Sequence, residues 1–85
     1  MYRVELTRAA ERQLRKLPAL ARERIETAIE QLINDPRPRG CVAFKGLKNG
    51  YRIRVGDYRV IYQVNDGELL VVVVRVGGRR DVYRG

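Results

Sequence analysis

The sequence predicts an α+β fold of order β-α-α-β-β-β, in which a helical hairpin packs on a small, mainly antiparallel twisted sheet. Three observations predict it. Tyr2, Val4 and Leu6 alternate with Arg3 and Glu5, the period of a half-buried strand. Between Ala10 and Ile33, apolar residues recur at helical spacing. From Tyr51 to Val76, apolar-rich runs are separated by Gly56-Asp57 and by Asn65-Asp66-Gly67, both turn sequences. A chain of 85 residues has room for one small core, so a single domain spanning 1–85 is expected.

Each element follows from its residues. Thr7 suits the N-cap of a helix from Arg8 to about Leu17, with Ala10, Leu14 and Leu17 on one stripe. Pro18 either closes that helix or opens the next. From Ala19 to about Ile33 the stripe is Leu20, Ala21, Ile25, Ala28, Ile29, Leu32 and Ile33, with Arg22, Glu23, Glu26 and Glu30 outside it. The short link makes the two helices an antiparallel hairpin. Asn34 to Gly40 holds Pro36, Pro38 and Gly40 and reads as a loop, itself basic. Val42 and Phe44 are expected to pack against the domain, before a second turn-rich stretch from Lys45 to Gly50.

The next two strands carry the most information. Tyr51–Val55 and Tyr58–Val64 flank Gly56-Asp57, and glycine first in a two-residue loop suits a type II′ hairpin. That loop pairs Val55 with Tyr58, Arg54 with Arg59, and Ile53 with Val60. Ile53, Val55, Val60, Tyr62 and Val64 then share one face, while Arg52, Arg54 and Arg59 share the other. Like charges opposite one another on a sheet are unfavourable, and an anion supplied by a ligand is the simpler account of Arg54 facing Arg59. The last strand, Glu68 to Val76, is nearly all Leu and Val after its first residue, which predicts burial on both faces and a central position.

Composition narrows the chemistry. Lys and Arg total 18 against 10 acidic residues, a net charge of +8, and the chain has no histidine, no serine and one cysteine. A Cys/His zinc site, a serine triad and a Cys/His pair are therefore excluded. Catalysis, if present, falls to Arg, Lys, Tyr or backbone groups, and no cofactor is expected. Residues 1–36 contribute +1 and residues 37–85 contribute +7, so the excess is local and fits a polyanion, nucleic acid before membrane. The longest apolar run, Leu69–Val74, is too short for a membrane helix, and Met1–Gln13 has no signal-like apolar stretch. A soluble, cytoplasmic protein is expected. Arg52 and Arg54 stand about 7 Å apart on a strand, comparable to successive phosphates of a single-stranded backbone, and Tyr83 offers a stacking face beside Arg79, Arg80 and Arg84. From spacing alone two readings stay open: a single-stranded nucleic-acid site, or solvated arginines with Tyr83 capping the core edge.

The run from Gly50 to Val64, GYRIRVGDYRVIYQV, then Val74–Arg79 and Asp81–Arg84, resembles the C-terminal half of RelE toxins of the RelE/ParE superfamily. The helical hairpin, Asp35-Pro36 and Lys45-Gly46-Leu47 are also similar, so the resemblance spans nearly the whole chain. It implies a RelE-like fold and a ribosome-dependent endoribonuclease that cuts mRNA in the A site, inhibits translation and is held inactive by a small acidic RelB-like antitoxin. Partners implied are therefore the antitoxin, mRNA and the ribosomal RNA. The reaction implied is attack of the ribose 2′-hydroxyl on the adjacent phosphate without a metal. By resemblance, Arg52 and Arg59 stabilise the phosphate, Arg79 serves the leaving oxygen and Tyr83 stacks on the base. Lys45, Lys48, Arg80 and Arg84 are candidate RNA or ribosome contacts. Position 54 departs from the family pattern, which can carry a lysine base; Arg54 is a poor proton acceptor and is expected to act on the nucleophile electrostatically or to leave proton work to tyrosines. Two alternatives remain: a ParE-like toxin that poisons DNA gyrase, and a catalytically weak relative that only binds antitoxin. The full basic set with Tyr83 favours the RelE side.

Overall fold

The computed structural model describes residues 1–78. The chain runs β1 (Arg3–Leu6), α1 (Arg8–Arg15), α2 (Ala19–Gln31), β2 (Val42–Ala43), β3 (Gly50–Val55), β4 (Tyr58–Asn65) and β5 (Leu70–Gly78). The strands form one five-stranded sheet in the order β1-β5-β4-β3-β2, antiparallel except where β1 runs parallel to β5.

The helices form where the stripes predict. Thr7 caps α1: its Oγ1 accepts from the Ala10 N–H at 3.1 Å. That helix ends at Arg15, two residues short of Leu17, and Pro18 takes the N-cap position of α2 in extended geometry, where its lack of an N–H costs nothing. Ala10, Leu14, Ile25, Ile29 and Leu32 pack with Ile53, Val60, Tyr62, Val64, Val71, Val73 and Val76 into one core. Burying an Ile, Leu or Val side chain stabilises by about 1.5–3 kcal/mol, so this helix-side sheet face supplies the main apolar driving force.

Three expectations are revised. Residues Val42 and Ala43 form an additional short strand, and Val42 is 49% exposed rather than packed inward, because an edge strand of two residues has a neighbour on one side only. β5 is interior as expected, between β1 and β4, but not buried on both faces: it buries Val71, Val73 and Val76 on one and leaves Val72, Val74 and Arg75 half-buried on the other, whereas residues 59–62 of β4 are all buried. The β1 strand covering one side of β5 is only four residues long. The outer arginine face is likewise not uniformly solvated, since Arg59 sits in the central strand at 7% exposure.

Candidate functional site

The hairpin register matches the sequence expectation residue by residue: Val55 pairs with Tyr58, Arg54 with Arg59, Ile53 with Val60. Gly56 has φ +61° while Asp57 stays out of the left-handed region, as a type II′ loop requires. A second glycine matters at Gly50, where a Cβ would lie 2.7 Å from Leu47 Cβ and 2.8 Å from its carbonyl oxygen; only hydrogen fits as the Lys45–Asn49 turn closes onto β3.

These pairings order the outer face into rows. One row reads Gly77, Arg59, Arg54 and the next reads Arg75, Ile61, Arg52, Val42. Arg52, Arg54 and Arg59 are therefore brought together on one face. Arg54 is exposed, Arg52 is half-buried, and Arg59 is held by donating from its Nη1 to the Tyr58 carbonyl at 3.1 Å. Neither Arg54 nor Arg59 reaches a carboxylate among the described residues. Lys45 and Lys48 are exposed on the turn before β3, and Gln63 Nε2 donates to the Lys48 carbonyl at 3.2 Å, tying that turn to β4. Arg79, Arg80, Tyr83 and Arg84 lie outside the described residues.

Sequence reasoning missed three residues nearby. Arg75 joins the outer face, although it falls within the Leu/Val run of β5. Arg39 lines a cleft of about 420 Å³ with Arg52, Arg54 and the α2 residues Ala28 and Gln31, at the β3 edge that β2 stops covering. Its basic loop was visible in the sequence; its proximity to β3 was not. Arg37 does the opposite of a free basic residue: its two Nη atoms donate to Asp66 at 3.1 and 2.7 Å, its Nε donates to the Tyr51 hydroxyl at 2.9 Å, and its guanidinium lies 5.1 Å from that ring's centre. Tyr2 also donates to Asp66, at 2.6 Å, and the buried Tyr62 hydroxyl donates to the Pro36 carbonyl at 2.7 Å. This clasp pins the 34–40 loop to the β4–β5 turn on the helix side of the sheet.

The clasp shows in its titrations. Hydrogen bonds from Arg37, then from Tyr2, hold the Asp66 carboxyl down to about 2. The same bond to Asp66 raises the Tyr2 phenol, and burial raises that of Tyr62. Hydrogen bonds to Asp66 and Tyr51 raise Arg37, which stays charged throughout. Among the described residues, no three His, Cys, Asp or Glu side chains come together to hold a metal ion, and no helix is long and apolar enough to cross a membrane.

Fold and site thus define a class: a small basic α+β protein with two helices on one face of a five-stranded mixed sheet and guanidiniums gathered on the other. The family described as "ParE toxin of type II toxin-antitoxin system, parDE" matches residues 4–83. Toxin RelG of Mycobacterium tuberculosis is 34% identical over 98% of this chain and 97% of its own length. The mRNA interferase toxin RelE of Escherichia coli is 29% identical over 96% of this chain and 90% of its own. The archaeal RelE-RelB complex of Pyrococcus horikoshii superposes with a TM-score of 0.81 at 30% identity, covering 92% of this chain and 94% of that one. The chain belongs to the RelE family of type II toxin-antitoxin toxins, within the wider group that the ParE description covers.

Proposed function

We propose that this chain is an endoribonuclease that enters the ribosomal A site and cleaves mRNA without a metal ion, and that a small acidic RelB-like antitoxin neutralises it. The observation that carries the reading is the convergence of Arg52, Arg54 and Arg59 on adjacent rows of β3 and β4, opposite the helices. A relative bearing the name mRNA interferase supports the activity, and solved RelE-RelB complexes support the antitoxin.

The chemistry follows from what the residues offer. The 2′-oxygen attacks phosphorus, forming the O2′–P bond and losing its proton to solvent water. The P–O5′ bond breaks and the 5′-oxygen takes up a proton, leaving a 2′,3′-cyclic phosphate. Negative charge grows on the phosphorane oxygens, and guanidiniums meet it with paired, planar N–H donors. Arg59 is the preorganised member, fixed in the central strand by its bond to the Tyr58 carbonyl. Arg54 is exposed and reaches outward to the 2′-oxygen, where it stabilises the alkoxide without accepting the proton. Arg52 binds the phosphate beside it. Arg79 serves the leaving oxygen and Tyr83 orients the base, with Lys45, Lys48, Arg80 and Arg84 contacting the RNA around them. The protein works in the cytoplasm, where its substrate is.

Primer extension on mRNA from expressing cells tests the reading. Discrete cuts inside codons, reproduced on purified programmed ribosomes, are expected. Intact mRNA with DNA breaks would overturn it in favour of a gyrase poison, and intact nucleic acid of both kinds would leave only antitoxin binding.

A further inference from the structure

Arg75 occupies a place that simple strand alternation forbids. Val71 and Val73 both point into the core with no exposed surface, and uninterrupted alternation would send Arg75 after them, beneath the helices. The register shows what prevents it. Ile61 pairs with Arg75 but its neighbour Tyr62 pairs with Val73, so β5 carries one extra residue, Val74, as a β-bulge. Beyond the bulge Val76 takes the core side, 2% exposed, and Arg75 emerges on the outer face.

Two side chains of the first helical segment hold that bulge. The Thr7 hydroxyl donates to the Val74 carbonyl at 3.3 Å, and Gln13 Oε1 accepts from the Val76 N–H at 2.8 Å. The backbone groups displaced by the bulge are thus satisfied from α1, and the altered register is tied to the helix that packs on β5.

The result brings four guanidiniums together on β3, β4 and β5. Arg75 shares the row of Ile61 and Arg52, about 10 Å from Arg52 across two strand spacings, and the next row places Arg59 about 8 Å and Arg54 about 12 Å away. Gly77, opposite Arg59, contributes no side chain between them. Glu5, the carboxylate on a described strand of this face, sits in the next row on the edge strand and is already engaged by Arg3 at 3.4 Å. Arg52 and Arg75 each have a partner within the chain, and a guanidinium with five N–H donors can keep one and still meet a phosphate oxygen.

We propose that Arg75 is a further RNA-backbone contact, binding a phosphate that flanks the one held by Arg52, Arg54 and Arg59, and that the Val74 bulge exists to deliver it there. This rests on the reading of that face as an RNA site. Its signature is one lost phosphate contact rather than a lost chemical step.

The test uses the full chain and a labelled single-stranded RNA oligonucleotide titrated across a salt series, with cleavage on programmed ribosomes measured in parallel. Arg75→Ala is expected to weaken RNA binding about tenfold and to lower the slope of log affinity against log salt by about 0.7. Turnover at saturating ribosomes should stay within about twofold. Arg75→Lys should keep the slope, and Arg8→Ala, on the helix side, should match wild type. Equal affinity and slope for wild type and Arg75→Ala would overturn the proposal, as would a lowered melting temperature or weakened antitoxin binding with an unchanged slope. Wild-type chain that cuts no mRNA on ribosomes would instead overturn the function proposed above, while the salt slope still decides for or against Arg75.

Discussion

Two groups of arginines lie on opposite faces of the same sheet, and the chain treats them differently. On the helix side, Arg37 is engaged within the chain: a bidentate carboxylate, a phenol and an aromatic face all meet it. On the outer side, Arg54 and Arg59 stand opposite each other with no carboxylate within reach among the described residues. Elsewhere the chain does pair an arginine with a carboxylate, in the bond of Arg37 to Asp66. On the function proposed above, the contrast separates a cation that holds the protein together from cations that meet a ligand outside it. Arg59 lies between the two cases, buried like a structural residue but facing outward with the others.

That contrast predicts that changes on the outer face act on activity and changes in the clasp act on stability. The largest effect is expected at Arg54→Ala: loss of mRNA cleavage on programmed ribosomes by about a hundredfold or more, with the thermal midpoint unchanged. Cleavage at the wild-type rate would remove Arg54 from the reaction. Arg54→Lys sharpens the point, because an amine is a better proton acceptor than a guanidinium; it should cut faster than wild type, with a pH–rate profile rising toward alkaline pH. A change in the clasp comes next. Tyr62→Phe removes the buried bond to the Pro36 carbonyl and should cost about 1 kcal/mol, a fall of about 4–8 °C in melting temperature for a domain this size, with cleavage retained.

The smallest expected effect is a pH dependence. The folded-state carboxyl of Asp66 is held below its ordinary value, at about 2. Its contribution is therefore complete above about pH 4 and is lost as pH falls toward about 2. Asp66→Asn should be less stable than wild type in urea at neutral pH, and the two curves should converge through that acidic window. A gap that stays constant from pH 7 to pH 2.5 would show that the ion pair with Arg37 contributes nothing.

How much of this was legible in the sequence depends on how local each cause is. The Arg54–Arg59 pairing was legible because a two-residue loop opening on glycine fixes the register of both flanking strands. The Thr7 cap was legible for the same reason: capping is settled within one turn. Arg75 was not, because a bulge inside a run of valines leaves no mark on composition; what marks it here is one arginine in phase with two buried valines, a conflict resolved by Thr7 and Gln13 from another element. The burial of Arg59 was hidden because exposure in a central strand is set by both neighbours. The clasp was hidden too, since Arg37 and Asp66 meet only when the 34–40 loop is laid over the sheet.

The parallel pairing of β1 with β5 has a consequence for how the protein reaches this shape. The first strand and the last of the described residues are hydrogen-bonded neighbours although residues 7–69 lie between them. Loop-closure entropy predicts that this pairing comes late, after the local hairpin of β3 and β4 and the pairing of β4 with β5. Until Arg3–Leu6 arrives, the Leu- and Val-rich edge of β5 stays open to any other strand in solution. The period of greatest exposure to aggregation is therefore the interval before the N-terminus docks, and the concentration of unfinished chains sets how many are lost in it.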